Sequence, residues 1–311
     1  MFRHHVTRFD PAALAVPAGY ETHSEGFRRA AHIDGSEGSV HAGFATCELA
    51  PGGEIQGHVH SYEESFYLVQ GSVELTLDGR AVRLEVDDCG LVPVGVEHAW
   101  RNTGDEPCRW IEMTAPQPRL PAAETPDTFF VGASPADDAV ALDIRDPRTR
   151  HFFRLGPGQM ELDNLKLGAP VDAPTVSASM ATALLAYSGI AVKMLVDQRL
   201  GAQLANMFMV EYEPGGVAQP HDHPLEECYY VLDGEVEFVA DGRSYVLGPG
   251  DVAWAGVGCI HAFYNRSADR RVRWLETQAP LPPAAHSYRF NRDWDYLGER
   301  QLAQRAGEGG D

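Results

Sequence analysis

Laid on itself at an offset of 163 residues, the chain repeats. "ELAPGGEIQGHVH" (48–60) falls on "EYEPGGVAQPHDH" (211–223), His98 on His261, Asn102 on Asn265, and the turn "DGR" at 78–80 on "DGR" at 241–243. Gly26 and Gly189, Asp34 and Asp197, and Gly38 and Gly201 keep the same offset, and "WIEMTAP" (110–116) meets "WLETQAP" (274–280) after one inserted residue. A match this regular marks a duplicated domain, residues 26–117 and 189–281, so any fold one half adopts must also suit the other. An arm (1–25), an inter-domain linker segment (118–188) and a tail (282–311) remain.

Each unit reads as strands. Apolar and polar residues alternate in "SFYLVQGSVELTL" and "CYYVLDGEVEFVA", broken by Gly and Asp-Gly turns. Short strands at close spacing, with no amphipathic helical stretch inside the unit, predict an all-β small barrel or sandwich. Between the units, "PDTFFVGASPADDAVALDIRDPRTRHFF" reads as loop with a few short strands, and "TVSASMATALLAYS" (175–188) as a candidate helix. The tail beyond about residue 290, rich in Arg, Glu, Gly and Asp, is expected to fray.

Composition narrows the partners. The formal charge is −20, from 25 basic and 45 acidic residues, which repels phosphate backbones and anionic lipid. No apolar run approaches the ~18 residues of a membrane span, and the opening "MFRHHVTRFD" lacks the apolar core of a signal peptide. Five scattered cysteines without a CxxC argue against a disulfide framework and for reduced thiols in the cytoplasm. Two lysines (Lys166 and Lys193) leave few candidates for Schiff-base chemistry.

The repeated histidines carry the chemistry. Residues i and i+2 of a strand share a face, so His58 and His60 point together, as do His221 and His223. Glu64 and Glu227 follow after three residues, ahead of the turn glycines Gly71 and Gly234. His98 and His261 follow the second histidine of each pair by 38 residues, on strands that a barrel can bring to the same interior point. Three imidazoles and a carboxylate leave two positions of an octahedral first-row metal open. Closed zinc sites prefer tetrahedral sets with thiolates, and no cysteine has that spacing. Strand phase places Gln56, Phe66, Trp100 and Asn102 around the first site, and Gln219, Tyr229, Phe263 and Asn265 around the second. For Phe66, Trp100 and Phe263, ordinary core packing is the preferred reading. Tyr229, a phenol beside a metal, is the candidate catalytic group. Glu63 and Glu226 alternate to the other face, where solvent is expected.

These residues resemble the cupin superfamily, and the duplication resembles a bicupin. The first cupin motif, G-x5-HxH-x3/4-E-x6-G, is met by Gly52, His58, His60, Glu64 and Gly71, and again by Gly215, His221, His223, Glu227 and Gly234. The second, G-x5-PxG-x2-H-x3-N, is met by "PVGVEHAWRN" (93–102) with Asp87 in place of the leading glycine. In the second copy Gly250, Gly258, His261 and Asn265 fit, and Gly256 stands where proline is usual. The resemblance implies a double-stranded β-helix (jelly-roll) barrel in each half, with one divalent metal near one mouth of each.

Among bicupins, the intact ligand sets argue against storage proteins, and the long spacer argues against the purine-pathway aminohydrolase. An oxalate decarboxylase would want an arginine over the metal, and Arg101 is expected to face away. The favoured function is a non-haem dioxygenase holding Fe(II) and acting on a small aromatic, enediol or diketone-type molecule. The alternatives are a redox-neutral decarboxylase, isomerase or aminohydrolase using Mn(II), Zn(II) or Ni(II), and a non-catalytic small-molecule-binding module. A homodimer is expected. Two metals but one principal active site are expected, with Tyr229 favouring the C-terminal barrel.

Overall fold

The alternating segments do form strands, and a duplicated pair of jelly-roll barrels results. The computed structural model describes residues 3–118, 127–132, 136, 138–165, 185–281, 289, 290, 302, 303 and 306. The arm contributes β1 (His4–Arg8). The first barrel follows as β2 (Ser24–Ile33), β3 (Gly43–His60), β4 (Glu63–Gln70), β5 (Ser72–Leu77), β6 (Arg80–Glu85), β7 (Asp88–Val92), β8 (His98–Arg101) and β9 (Cys108–Ala115). Between the repeats come β10 (Thr128–Phe130), β11 (Val140–Ala141) and β12 (Phe152–Arg154). The second barrel holds β13 (Ile190–Val196), β14 (Asn206–Tyr212), β15 (Val217–Asp222), β16 (Glu226–Asp233) and β17 (Val236–Ala240). It continues with β18 (Arg243–Leu247), β19 (Asp251–Ala255), β20 (His261–Tyr264) and β21 (Val272–Ala279), and β22 (Arg289–Phe290) ends the series.

In the first barrel one long strand serves both layers. β3 pairs with β9 through Gly43–Leu49 and with β8 through Glu54–His58. It bends at "PGG", where Gly52 takes φ +71 and a Cβ on Gly53 would stand 2.7 Å from the Glu25 carbonyl oxygen. The second copy divides the same stretch into β14 and β15, which lie in separate sheets.

The two departures from the usual motif have local reasons. Asp87 adopts φ +73, the conformation a glycine would supply, and its carboxylate accepts from the Tyr67 hydroxyl at 2.6 Å. Gly256 uses the amide that proline lacks, donating it to the Arg3 carbonyl at 2.8 Å. The second barrel therefore has a docking point for the arm that the first lacks.

Described stretches of the arm, linker and tail add strands to the barrels, while most of the tail beyond residue 290 lies outside the described residues. β10 pairs with β3 (Phe130 opposite His58), β11 with β6, and β12 with β7. β1 crosses the molecule to pair with β19 (His4 opposite Ala255). β22 pairs with β15, setting Phe290 opposite His221 as Phe130 is set opposite His58. Of the candidate helix at 175–188, residues 175–184 lie outside the described residues, and Ala186–Ser188 forms a single 3-10 turn.

Each barrel has its own apolar interior, including Phe66, Leu75, Trp100 and Trp110 in the first, and Tyr229, Phe238, Phe263 and Trp274 in the second. A third core lies between them, where Phe44, Tyr67, Leu91 and Ile111 pack with Met207, Met209, Tyr230 and Trp254. Strands facing this seam are buried on both sides, so they read as near-continuous apolar runs.

Glu63 and Glu226 also face this seam rather than solvent, each 3% exposed. Glu63 accepts from the amides of Gln203 (2.8 Å) and Leu204 (2.9 Å). Glu226 accepts from the Ser39 hydroxyl (2.5 Å) and from the amides of Val40 (2.9 Å), His41 (3.1 Å) and Ala42 (3.2 Å). A buried donor left unsatisfied costs about 1–3 kcal/mol. Glu226→Ala is therefore expected to lower unfolding stability by about 3 kcal/mol or more, and Glu63→Ala by about 2 kcal/mol. Chemical denaturation of both variants checks the order.

Candidate metal centres

A bulge in the first ligand strand sets the geometry. On β3, Ile55 lies opposite Trp100 and His58 opposite His98, so three residues of β3 span two of β8. The second barrel repeats this, with Ala218 opposite Phe263 and His221 opposite His261. Simple alternation fails here. Ile55 and Ala218 take the inward position expected for Gln56 and Gln219, and the bulged glutamines are only half-buried.

The bulge also turns the ring. His58 Nδ1 donates to the Gln56 carbonyl at 2.7 Å, and His221 Nδ1 to the Gln219 carbonyl at 2.7 Å. His98 Nδ1 meets the Val96 carbonyl at 3.1 Å, His261 Nδ1 the Cys259 carbonyl at 3.0 Å, and His223 Nδ1 the Leu225 carbonyl at 2.9 Å. Carbonyls only accept, so these five Nδ1 atoms carry the proton and each Nε2 points inward as a ligand. His60 differs, resting Nδ1 on the Thr128 hydroxyl of β10 at 3.0 Å.

Two triads result, His58, His60 and His98 and then His221, His223 and His261, each with ligand atoms within 4.8 Å of one another and every member buried. Glu64 Oε2 lies 3.1 Å from His60 Nε2 and 3.6 Å from His98 Nε2, and Glu227 Oε2 lies 2.8 Å from His223 Nε2 and 3.2 Å from His261 Nε2. Neighbouring ligands of an octahedral ion with bonds near 2.1 Å stand about 3 Å apart, so the donor set suits a divalent ion. His98 Nε2 is buried with no hydrogen-bond partner among the described residues, as an atom awaiting a cation would be.

Charge agrees with this reading. Burial holds His60 down to about 4 and His221 to about 3, both in the neutral form a metal requires. Burial would raise Glu64, but His60 and His98 hold it below the carboxylate range. His223 shifts upward, because Glu227 outweighs its burial.

The other expected site residues are dispersed. Phe66 and Trp100 are core, Trp100 stacking on Trp110 with centroids 4.7 Å apart. Phe263 stacks on Phe238 at 4.8 Å. Asn102 is spent on a turn, donating to the carbonyls of Leu49 (3.0 Å) and Glu106 (2.8 Å) and accepting from Gly104 N (2.9 Å). Asn265 likewise donates to the Tyr212, Glu213 and Arg270 carbonyls. Tyr229 is at the second centre, but its hydroxyl donates to Glu227 Oε2, while Gln278 donates to Glu227 Oε1 at 2.5 Å. That makes Tyr229 a positioning residue for a ligand.

Residues that were not anticipated line the first mouth. Phe130 of β10 stacks on His23 at 4.1 Å and meets Tyr20 at 5.0 Å, and Tyr62 stacks on His60 at 4.3 Å. Inside the barrel, Arg29 on β2 pairs with Glu112 on β9 at 2.6 Å. Arg101 faces away as expected, bonded to Glu74 at 3.0 Å.

His58→Ala and His221→Ala are each expected to remove one metal equivalent, that of the altered triad, measured by plasma mass spectrometry. Thr128→Val should weaken the first centre about 10- to 100-fold and spare the second. In metal-free protein, His60 and His221 have folded pKa values below the unfolded 6.5, so the unfolded chain binds more protons between about 6.5 and 4. Stability should fall as pH drops through that window, read as a lower melting temperature at pH 5 than at pH 7.

Comparison with known proteins agrees with this architecture. The Cupin domain family matches residues 45–114 and 208–277. The tetracenomycin polyketide synthase protein TcmJ of Streptomyces glaucescens is 31% identical over 129 residues, 40% of this chain and 87% of that protein. The polyketide synthase CurC of Streptomyces cyaneus is 37% identical over 81 residues, 25% of this chain, and the chain spans about half (53%) of its length. Salicylate 1,2-dioxygenase of Pseudoaminobacter salicylatoxidans superposes with TM-score 0.63 at 16% identity, covering 89% of this chain and 81% of that one. Oxalate decarboxylase of Lactobacillus farciminis superposes with TM-score 0.60 at 17% identity, covering 96% and 92%. With two matched domains, a histidine triad in each and barrels of this architecture, the chain belongs to the cupin superfamily and is a bicupin.

Proposed function

We propose that this bicupin is a metal-dependent dioxygenase whose substrate, a small aromatic ring bearing a carboxylate, binds in the N-terminal barrel. The observation that carries this reading is the Arg29–Glu112 pair. Phe66 lies opposite Glu112 and Arg29 opposite Cys47, and Phe66 and Cys47 both belong to the barrel interior. Although it faces inward, the Arg29 side chain is 26% exposed, so solvent reaches the inside of this barrel. Its positive charge is also among the smaller influences that lower His60, which supports a position near the ligand set. A planar guanidinium can move from Glu112 to an incoming carboxylate in a bidentate pair. Tyr20, His23, Tyr62 and Phe130 offer ring faces at the mouth.

The second barrel has the same ligands but a different lining. At the offset positions Val192 replaces Arg29, Met194 replaces Ala31 and Phe208 replaces Ala45. Val192 and Phe208 are buried in its apolar core. Glu276, the counterpart of Glu112, meets the Trp274 indole N–H at 2.9 Å instead of an arginine. This difference supports the N-terminal barrel as the active one, against the lean towards the C-terminal site, with a structural role for the second metal.

His58, His60, Glu64 and His98 would hold the ion. A bound Fe(II) would supply Lewis acidity towards a substrate hydroxyl and a redox centre for O2 chemistry. The chain orients the carboxylate through Arg29 and excludes water with the aromatic mouth. The similarity to salicylate 1,2-dioxygenase supports this choice of ring. The runner-up is a redox-neutral, metal-dependent reaction of a small carboxylate, for which Arg29 is equally apt and to which the oxalate decarboxylase superposition points.

With iron loaded, hydroxybenzoates are expected to drive oxygen uptake, abolished in His58→Ala and retained in His221→Ala. Arg29→Gln should raise KM about 10- to 100-fold, the value of a charge-assisted hydrogen bond, with a smaller change in kcat. Turnover that releases CO2 without consuming O2 would replace this reading with the redox-neutral one.

A further inference from the structure

A third set of metal-type side chains converges where the arm meets the second barrel. His4 of β1, Asp241 in the turn between β17 and β18, and Cys259 just before β20 each place one ligand atom within 4.8 Å of the others. We propose that these three side chains bind a zinc-class divalent cation, with water as fourth ligand, and that this ion fastens the arm to the second barrel.

The donor types are those of tetrahedral zinc, a thiolate, an imidazole and a carboxylate, and they differ from the all-His/Glu cupin centres. The spacing fits as well. His4 Nδ1 lies 3.6 Å from Asp241 Oδ2, and bonds of 2.0–2.2 Å in a tetrahedron put neighbouring ligands about 3.4 Å apart. His4 Nε2 is 2.9 Å from the Tyr245 hydroxyl. That outer contact turns Nδ1 towards Asp241, as second-layer partners orient ligating histidines elsewhere. His4 is 8% exposed and Cys259 fully buried. The Asp241 side chain is 17% exposed, leaving one side open to a water ligand. Arg3 also reaches this carboxylate, through its amide (3.2 Å to Oδ2) and its guanidinium (3.4 Å to Oδ1).

The cluster is not inherited from the duplication. At the offset position of Cys259 the first barrel has Val96, and its second motif carries Pro93 where Gly256 receives the arm. Asp241 has its counterpart in Asp78, so what is particular to the second barrel is Cys259 and the docked His4. The Cys259 carbonyl also accepts from His261 Nδ1 at 3.0 Å, so the clip ends on the residue that aims a ligand of the second centre.

Cobalt(II) titrated into the metal-free full chain tests this. A thiolate ligand gives a sulfur-to-cobalt charge-transfer band in the near ultraviolet, and neither cupin centre supplies sulfur. The band is expected in the wild-type chain and in the His58→Ala and His221→Ala variants. It should be lost in Cys259→Ser and in His4→Ala, and zinc stoichiometry should fall from three equivalents to two in both. Circular dichroism keeps a folding failure distinct, and Asp241→Asn, which weakens the band without removing sulfur, serves if Cys259→Ser does not fold. No band in wild type, no third zinc equivalent, or a band that survives Cys259→Ser overturns the proposal.

Discussion

Two adjacent carboxylates on one strand, facing opposite ways, tie the chemistry to the architecture. Glu64 and Glu227 face the barrel interiors and meet the ligand histidines, while Glu63 and Glu226 face the seam and accept amides from the other barrel. Strand alternation makes this obligatory once either residue is placed. A metal ligand is thereby held in register by a buried inter-barrel contact one residue away. The two centres share a frame, and the loops at 39–42 and 202–205 owe their backbone partners to it.

Duplication also provides an internal comparison. The ligand histidines and glutamates stand at one offset, and the carbonyls under His58, His98, His221 and His261 repeat with them. What differs is everything behind them. One barrel keeps a charged pair and small residues along its inner wall, and the other fills the same positions with Val192, Met194 and Phe208. The motif residues repeat between the barrels, and the positions around them diverge.

The fold and the convergence of the two histidine triads were legible in the sequence because both depend on local spacing, the period of a strand and the interval between motifs. The surroundings were harder to read. A bulge at Gln56 and Gln219 shifts the phase on which the pocket prediction rested, and nothing in "EIQGHVH" signals it. Asn102 and Asn265 share a face with histidines yet satisfy turn carbonyls, a role visible only once the chain returns. Arg29 had a weak signal, a charge alternating with Phe27 and Ala31. Its partner Glu112 lies 83 residues away. Glu226 could be phased to the outer face, but that this face is another barrel's seam is a tertiary fact.

The pairing of β1 with β19 joins His4 to Ala255 across almost the whole chain. During synthesis β1 is made ahead of its partner and waits for it about 13–50 s at typical elongation rates of roughly 5–20 residues per second. The first barrel can close in that interval, while the edge of β19 is capped only after β13–β18 exist to receive it. Such a late closure costs loop entropy before it returns any contact. A late step of assembly therefore belongs to a strand made before either barrel, and the edge of β19 stays open until the arm arrives.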